Sequence, residues 1–216
     1  MTQRLVVIGG GGFGREVLEL VEDLNVAGSH DLEVVGVLDD GSPDLGLLAQ
    51  LGARHLGGTA ALRGLEADVA YVIGIGACAP RRAIDEQCRS WGRTPLTLVH
   101  PTAVVGRRSV DLGPGTIVCA HATITTHVTL GRHVHVNPGC TIGHDSTIGD
   151  HVTLTPQVAV AGHVTIRDRV FVGTGARIIP EVVLGEGVLV GAGAVVTRDV
   201  AAESTVFSVP ARAKEE

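Results

Sequence analysis

The chain has 216 residues, carries a formal net charge of −6 at pH 7, and is 44% hydrophobic but only 2% aromatic. That length allows one or two domains, and the absence of any basic stretch argues against a nucleic-acid partner. No apolar run reaches transmembrane length, and Leu5–Ile8 is too short and too poorly flanked for a signal-peptide core, so a cytoplasmic protein with no membrane partner is expected.

The first hundred residues alternate strand and helix signals. Arg4–Ile8 is an apolar run of strand length, followed by Gly9-Gly10-Gly11-Gly12-Phe13-Gly14 and by helical spacing of apolar residues over Arg15–Leu24. Glu33–Leu38 reads as a second strand ending at Asp39-Asp40, Asp68–Gly76 as a third, and Ala79–Gly92 as a charged amphipathic helix. Such alternation predicts a small parallel α/β sheet. Gly9, Gly11 and Gly14 fit GxGxxG between strand and helix, where backbone N–H groups at a helix N-terminus can approach phosphate. Asp39, at the end of the second strand, can accept from ribose or base donors. NAD, a nucleotide-linked sugar and a purely structural turn all fit this loop. The unit is only half of a full dinucleotide fold, and no dehydrogenase substrate domain follows it.

The rest of the chain changes rhythm. From Leu112 to Val196 every sixth residue is Leu, Ile or Val, and four residues further on, from Thr116 to Val200, every sixth is small or β-branched. A six-residue period fits neither an α-helix nor an alternating strand and signals a repeat architecture. Short strands separated by turns would build a flat-sided solenoid. Glycines such as Gly113, Gly143 and Gly173 directly follow the aliphatic residue, where a tight turn is expected to need them. The scarcity of aromatics suits a narrow interior. Cys78, Cys88, Cys119 and Cys140 form no CxxC pair and read as reduced thiols, Cys140 in an inward phase.

This pattern resembles the left-handed parallel β-helix of the hexapeptide-repeat acyltransferases, in which three hexads make one triangular coil and residues 18 apart stack. Residues 99–206 then make about six coils, roughly 29 Å of stacked strands. A small Rossmann-like domain ahead of such a helix resembles the nucleotide-sugar acetyltransferases, including the UDP-4-amino-sugar N-acetyltransferases and the proteins called sialic acid O-acetyltransferases. The resemblance extends to Val209-Pro210-Ala211-Arg212 and covers essentially the whole chain. It implies a Rossmann-like nucleotide-sugar-binding domain at 1–98 and a β-helix acyltransferase domain with a C-terminal tail at 99–216. It also implies a homotrimer, with acetyl-CoA as co-substrate lying along the helix between subunits. By the same resemblance Gly11, Gly12, Phe13, Asp39, Asp40 and Gly76 would touch the sugar nucleotide. Thr153, Gly173, Thr174, Gly191 and Ala192 would line the acetyl-CoA groove. The chain departs from the family at Phe13, where relatives often have His, and at Ala77, where they often have Asn. It departs also at Thr153, for a His of some members, and at Ala192, for a Gly.

Histidines mark the solenoid. His121, His127, His133, His151 and His163 share one phase, three residues after the aliphatic position, and are expected to face solvent or a neighbouring subunit. His135 precedes an inward Val. His144 lies one position earlier in its hexad, is followed by Asp145, and has Gly162 eighteen residues on. Acetyl transfer from a thioester needs a base near neutrality and a donor for the developing oxyanion. The resemblance gives these roles to His144, oriented by Asp145, and to the N–H of Gly162. Direct transfer is expected, since no Ser or Cys is poised beside His144. The competing readings are a sugar O-acetyltransferase, a non-enzymatic β-helix binding protein and a zinc enzyme. His127, Asp145 and His163 stack at 18-residue spacing, but no two histidines are five apart, so no metal is expected.

Overall fold

A computed structural model of the protein describes residues 2–213, so residues 214–216 of the expected C-terminal tail lie outside the described residues. Strand β1 (Gln3–Ile8) is the centre of a three-stranded parallel sheet, flanked by β2 (Leu32–Leu38) and β3 (Ala70–Ile73). Successive β1 residues serve opposite faces. Leu5 and Val7 pack with helix α1 (Gly12–Val26), whereas Val6 and Ile8 pack with Leu62, Tyr71 and Cys88. Two apolar faces explain why Leu5–Ile8 is continuously apolar rather than alternating. Helix α3 (Cys78–Ser90) follows β3. The chain also forms a short helix α2 (Leu45–Gln50), N-capped by Asp44, and a 3-10 turn at Thr59–Gly64, neither of which its apolar spacing announces.

The remainder is a three-sided parallel β-solenoid of about six turns. Its two- and three-residue strands form an eight-stranded, a six-stranded and a five-stranded sheet, one per side. Register is i to i+18 through the body, as at His135↔Thr153, Thr141↔Ala159 and Thr147↔Thr165. The strict period ends at both extremities. Leu98 pairs with Ile117 and Val104 with Thr123, so the first coil carries one extra residue. The last coil is two residues short, Leu189 pairing with Thr205, and Asp199 Oδ1 accepts the Val183 N–H at 2.8 Å. The interior is the aliphatic column, closed by Val206 and Ala211 at the C-terminal end.

The corners need glycine for close approach, not for a positive φ. Gly113, Gly143 and Gly173 are not left-handed; a Cβ on any of them would collide with the backbone of the next coil. The left-handed position comes two residues later. From Gly115 to Gly193 every sixth residue has φ between +48° and +78°. His, Asp and Gly suit such a position better than β-branched residues do, which explains why histidines recur in this phase. Among the described residues no helix is long and apolar enough to cross a membrane.

Candidate active site

The α/β unit sits on the corner between the five- and eight-stranded sheets, held by a buried polar cluster. The stripe that α3 turns inward is Cys78, Arg81, Asp85 and Cys88. Arg81 Nη1 donates to the Ile75 and Gly76 carbonyls at 2.7 and 3.0 Å, and Nη2 to the His151 carbonyl and Thr153 Oγ1 at 2.7 and 2.8 Å. Asp85 accepts from Arg132 Nη2 at 2.7 Å, Tyr71 Oη at 3.0 Å and His151 Nε2 at 3.1 Å, with His133 Nε2 at 3.0 Å. Burial opposes ionisation of Asp85, but His133, His151 and Arg132 outweigh it and hold the carboxyl far below its usual range. Burial lowers Arg81 to about 10 and pushes His133 and His135 below their ordinary values, His135 also through the nearby Arg81 charge. His133 and His151 are therefore not surface residues, as their phase had implied: the α/β unit covers that corner, leaving them 0% and 6% exposed. The signal for this contact is the stripe itself, because two charged residues occupy positions where an amphipathic helix puts apolar ones.

Thr153 is a second correction. It is 1% exposed, receives Arg81 and Cys78, and donates to the Gly76 carbonyl at 2.7 Å, so it belongs to this junction and offers no surface to a coenzyme. The other four positions expected in the coenzyme groove do meet on one corner, between the eight- and six-stranded sheets. Gly173 packs against the Gly191–Ala192 backbone, and Thr174 and Ala192 are exposed.

The glycine-rich loop divides by role. Gly9, at φ +105°, and Gly14 are required by close contacts with Gly74, Ile75 and each other, whereas a Cβ on Gly11 or Gly12 meets nothing within 4 Å. The helix starts at Gly12, earlier than its apolar spacing implies, so Gly12 and Phe13 stand in its first turn, where N–H groups lack intrahelical acceptors. Asp39 accepts from the N–H groups of Gly10 and Gly41 at 2.6 and 2.7 Å, and Asp40 receives both the N–H and the hydroxyl of Thr59. Both acids thus shape the loops around the site. Phe13 stacks at a tilt on His135, centroids 4.7 Å apart. Gly76 borders an open cavity of about 560 Å³ lined also by Ala77, Pro80, Arg169, Phe171 and Leu189.

His144, Asp145 and Gly162 come together on the third corner, between the six- and five-stranded sheets. His144 Nδ1 lies 2.7 Å from Asp145 Oδ2, with the two side chains 56% and 41% exposed. That hydrogen bond is the main cause holding Asp145 below the usual carboxylate range. A Cβ on Gly162 would stand 2.7 Å from His144 Cε1 and 2.8 Å from Nε2, so the glycine leaves room for the imidazole beneath it. The Gly162 N–H makes no hydrogen bond among the described residues. The repeat explains why. In the same phase stand Pro114, Pro138, Pro156 and Pro180, which have no N–H, while the N–H groups of Arg132 and Asp150 turn to a carboxylate one coil on. The backbone ladder does not use this donor, and at Gly162 nothing among the described residues takes it. His163 lies beside Asp145, Nε2 to Oδ2 3.6 Å, and His144, Asp145 and His163 offer donor atoms within 4.8 Å of one another.

Residues 4–88 match the PglD N-terminal domain family, and residues 127–162 and 163–198 the bacterial transferase hexapeptide family of six repeats. Among solved structures the chain is similar to PerB from Caulobacter crescentus in complex with CoA and GDP-perosamine, at 33% identity over 98% of this chain and 97% of that one, TM-score 0.86. It is similar also to the acetyltransferase domain of PglB from Neisseria gonorrhoeae, at 29% identity over 98% and 100% of the two chains, TM-score 0.85. For WeeI from Acinetobacter baumannii the figures are 27%, 99% and 100%, and 0.84. The Caulobacter perosamine N-acetyltransferase has also been solved with one histidine replaced by asparagine and by alanine. Comparison with curated proteins gave no match.

Proposed function

From the premise that the chain belongs to the hexapeptide-repeat nucleotide-sugar N-acetyltransferases, we propose that it acetylates the amino group of a nucleotide-linked amino sugar with acetyl-CoA. The observation that carries the reading is the His144–Asp145 pair beneath a Gly162 N–H that has no acceptor among the described residues. His144 takes a proton from the attacking amine while Asp145 fixes the imidazole with its proton on Nδ1. The amine nitrogen bonds to the thioester carbonyl carbon, and the Gly162 N–H receives the oxyanion. The C–S bond then breaks, and the departing CoA thiolate takes up the proton. Gly11, Gly12 and the first turn of α1 hold the nucleotide's phosphates, with Gly76 and Phe13 toward the sugar, and Gly173, Thr174, Gly191 and Ala192 border the coenzyme. In this reading residues 1–98 are the nucleotide-sugar unit and residues from 99 the acyltransferase unit.

The three sets of residues lie on three different corners of one prism. The reading therefore requires the acceptor loop of one copy to face His144 of another, as in a homotrimer. Amine is favoured over hydroxyl as acceptor because the related Caulobacter protein is described as a perosamine N-acetyltransferase. The test is release of CoA thiol over a panel of UDP-, dTDP- and GDP-linked amino sugars, each paired with its hydroxyl counterpart. Turnover with an amino sugar, lost in His144→Ala, is expected. Turnover only with hydroxyl sugars would make the protein an O-acetyltransferase, and full activity of His144→Ala would overturn the base.

A further inference from the structure

The left-handed corner that bears His144 also carries a column of side chains one coil apart: His127, Asp145, His163 and Glu181. Their N–H groups bond in turn to the carbonyls of Arg108, Thr126, His144 and Gly162. All four have φ between +54° and +68°, so the backbone holds each in a fixed direction. Within this column Asp145 stands between two imidazoles. His144 Nδ1 lies 2.7 Å from Asp145 Oδ2, and His163 Nε2 lies 3.6 Å from the same oxygen. The His163 ring meets the His144 ring edge-on, centroids 5.2 Å apart and planes at 89°. His163 also directly follows Gly162, the residue proposed to receive the oxyanion.

One carboxylate oxygen facing two bases cannot serve both equally. At 2.7 Å His144 makes a hydrogen bond; at 3.6 Å His163 makes only an ion-pair contact, which matters when it is charged. A protonated His163 attracts Asp145 and adds a positive charge beside His144, opposing the charge His144 must acquire as base. The other charged groups on this corner, among the described residues, are Arg107, Arg108 and His127 below Asp145, and Glu181, Arg198 and Asp199 above His163. His127 adds further positive charge near Asp145 when protonated, and Glu181 offers His163 a second acidic neighbour.

We propose that His163 is a positioning residue for the transfer reaction: neutral, it leaves Asp145 to orient His144, and protonated, it draws the carboxylate away and sets the acid limit of catalysis. This rests on His144 being the base, as proposed above. All these side chains are exposed, so substitutions here leave the buried coil intact.

The test is the pH dependence of kcat for the wild type, His163→Asn and His163→Lys, with His144→Ala as control and a ring-resonance titration of the histidines in the wild type and Asp145→Asn. His163→Asn removes the titrating charge, and its acid limb is expected to move down by about half a pH unit, with plateau kcat within about twofold. His163→Lys makes the charge permanent and is expected to lower kcat roughly 3- to 10-fold across the range, with KM for acetyl-CoA unchanged. The His163 titration midpoint is expected to fall in Asp145→Asn. Coincident acid limbs in the wild type and His163→Asn, or a fully active His163→Lys, would overturn the proposal while the loss of turnover in His144→Ala still upheld the base. Absence of thiol release over the whole panel would instead reject the function. A His163 midpoint unmoved by Asp145→Asn would reject the shared carboxylate on its own.

Discussion

His144 and His133 belong to the same repeat, and their surroundings set opposite behaviour. His144 is 56% exposed, and its ring meets Asp145, the His163 ring and the space under Gly162. Replacing it with alanine is expected to lower kcat by about 10²–10⁴-fold and leave the melting temperature within error, checked by a thiol assay beside thermal unfolding. His133 and His135 are sealed under the α/β unit, and burial lowers both. An imidazole whose folded-state value lies below its unfolded one is protonated more readily in the unfolded chain. Stability is then complete above about pH 6.5 and falls as pH drops through the window beneath it, by up to about 1.4 kcal/mol per pH unit for each ring. Asp85 acts in the same sense but in a lower pH window. Its depressed value keeps it ionised in the folded protein, so its contribution is present above about pH 4 and declines only below that. Denaturant unfolding at pH 7 and pH 5.5 should therefore show a clear loss that His135→Gln reduces. Equal stabilities at the two pH values would contradict the burial argument. The histidine pattern was legible in the sequence, but which rings are covered was not, because covering depends on where α3 lands.

At the scale of the element, a solenoid corner has two kinds of glycine. Gly143 lets adjacent coils touch: its added Cβ would stand 2.6 Å from the Ala161 carbonyl carbon and the Gly162 nitrogen, both backbone atoms that cannot yield. Gly162 spares only the exposed His144 ring. Gly143→Ala is therefore expected to cost stability, about 1–3 kcal/mol as an overpacking change. Gly162→Ala is expected to fold normally and lose most of its activity by displacing the imidazole. Melting curves and kcat for the pair separate these outcomes. Helix α3 shows the same dependence on partners. Arg81 and Asp85, four residues apart, face inward because the solenoid corner supplies carbonyls, Thr153, Arg132 and two histidines to receive them. Asp85→Asn removes the anion from a buried pair and is expected to cost about 3–5 kcal/mol, read by denaturant unfolding.

At the scale of the molecule, the glycine-rich loop, the Gly173–Ala192 corner and His144, proposed as acceptor site, coenzyme groove and base, are held apart by the prism they decorate. If copies share sites, two inactive variants should complement. Gly12→Glu, placed where a side chain meets nothing within 4 Å, is expected to fold and to repel the substrate's phosphates. Co-expressed with His144→Ala it should regain up to about a quarter of wild-type activity, since mixed closed rings bring intact halves together. No regain would mean that one chain completes the site alone. The hexads determined by themselves that half of the chain is a solenoid, because a repeat carries its own register and each coil contacts only its neighbours; the resemblance to the hexapeptide-repeat acyltransferases supplied the 18-residue stacking that brings His144, Asp145 and Gly162 together. The glycine-rich loop likewise announced the strand–turn–helix unit. Only the tertiary structure decided that Thr153, His133 and His151 are buried, that Asp39 and Asp40 brace loops, and that the end coils break the period. The burial of Thr153, His133 and His151 follows from long-range contact between a helix and a corner some seventy residues later, as in Cys78 with Thr153 and Arg81 with His151, and no local pattern encodes which two surfaces will meet.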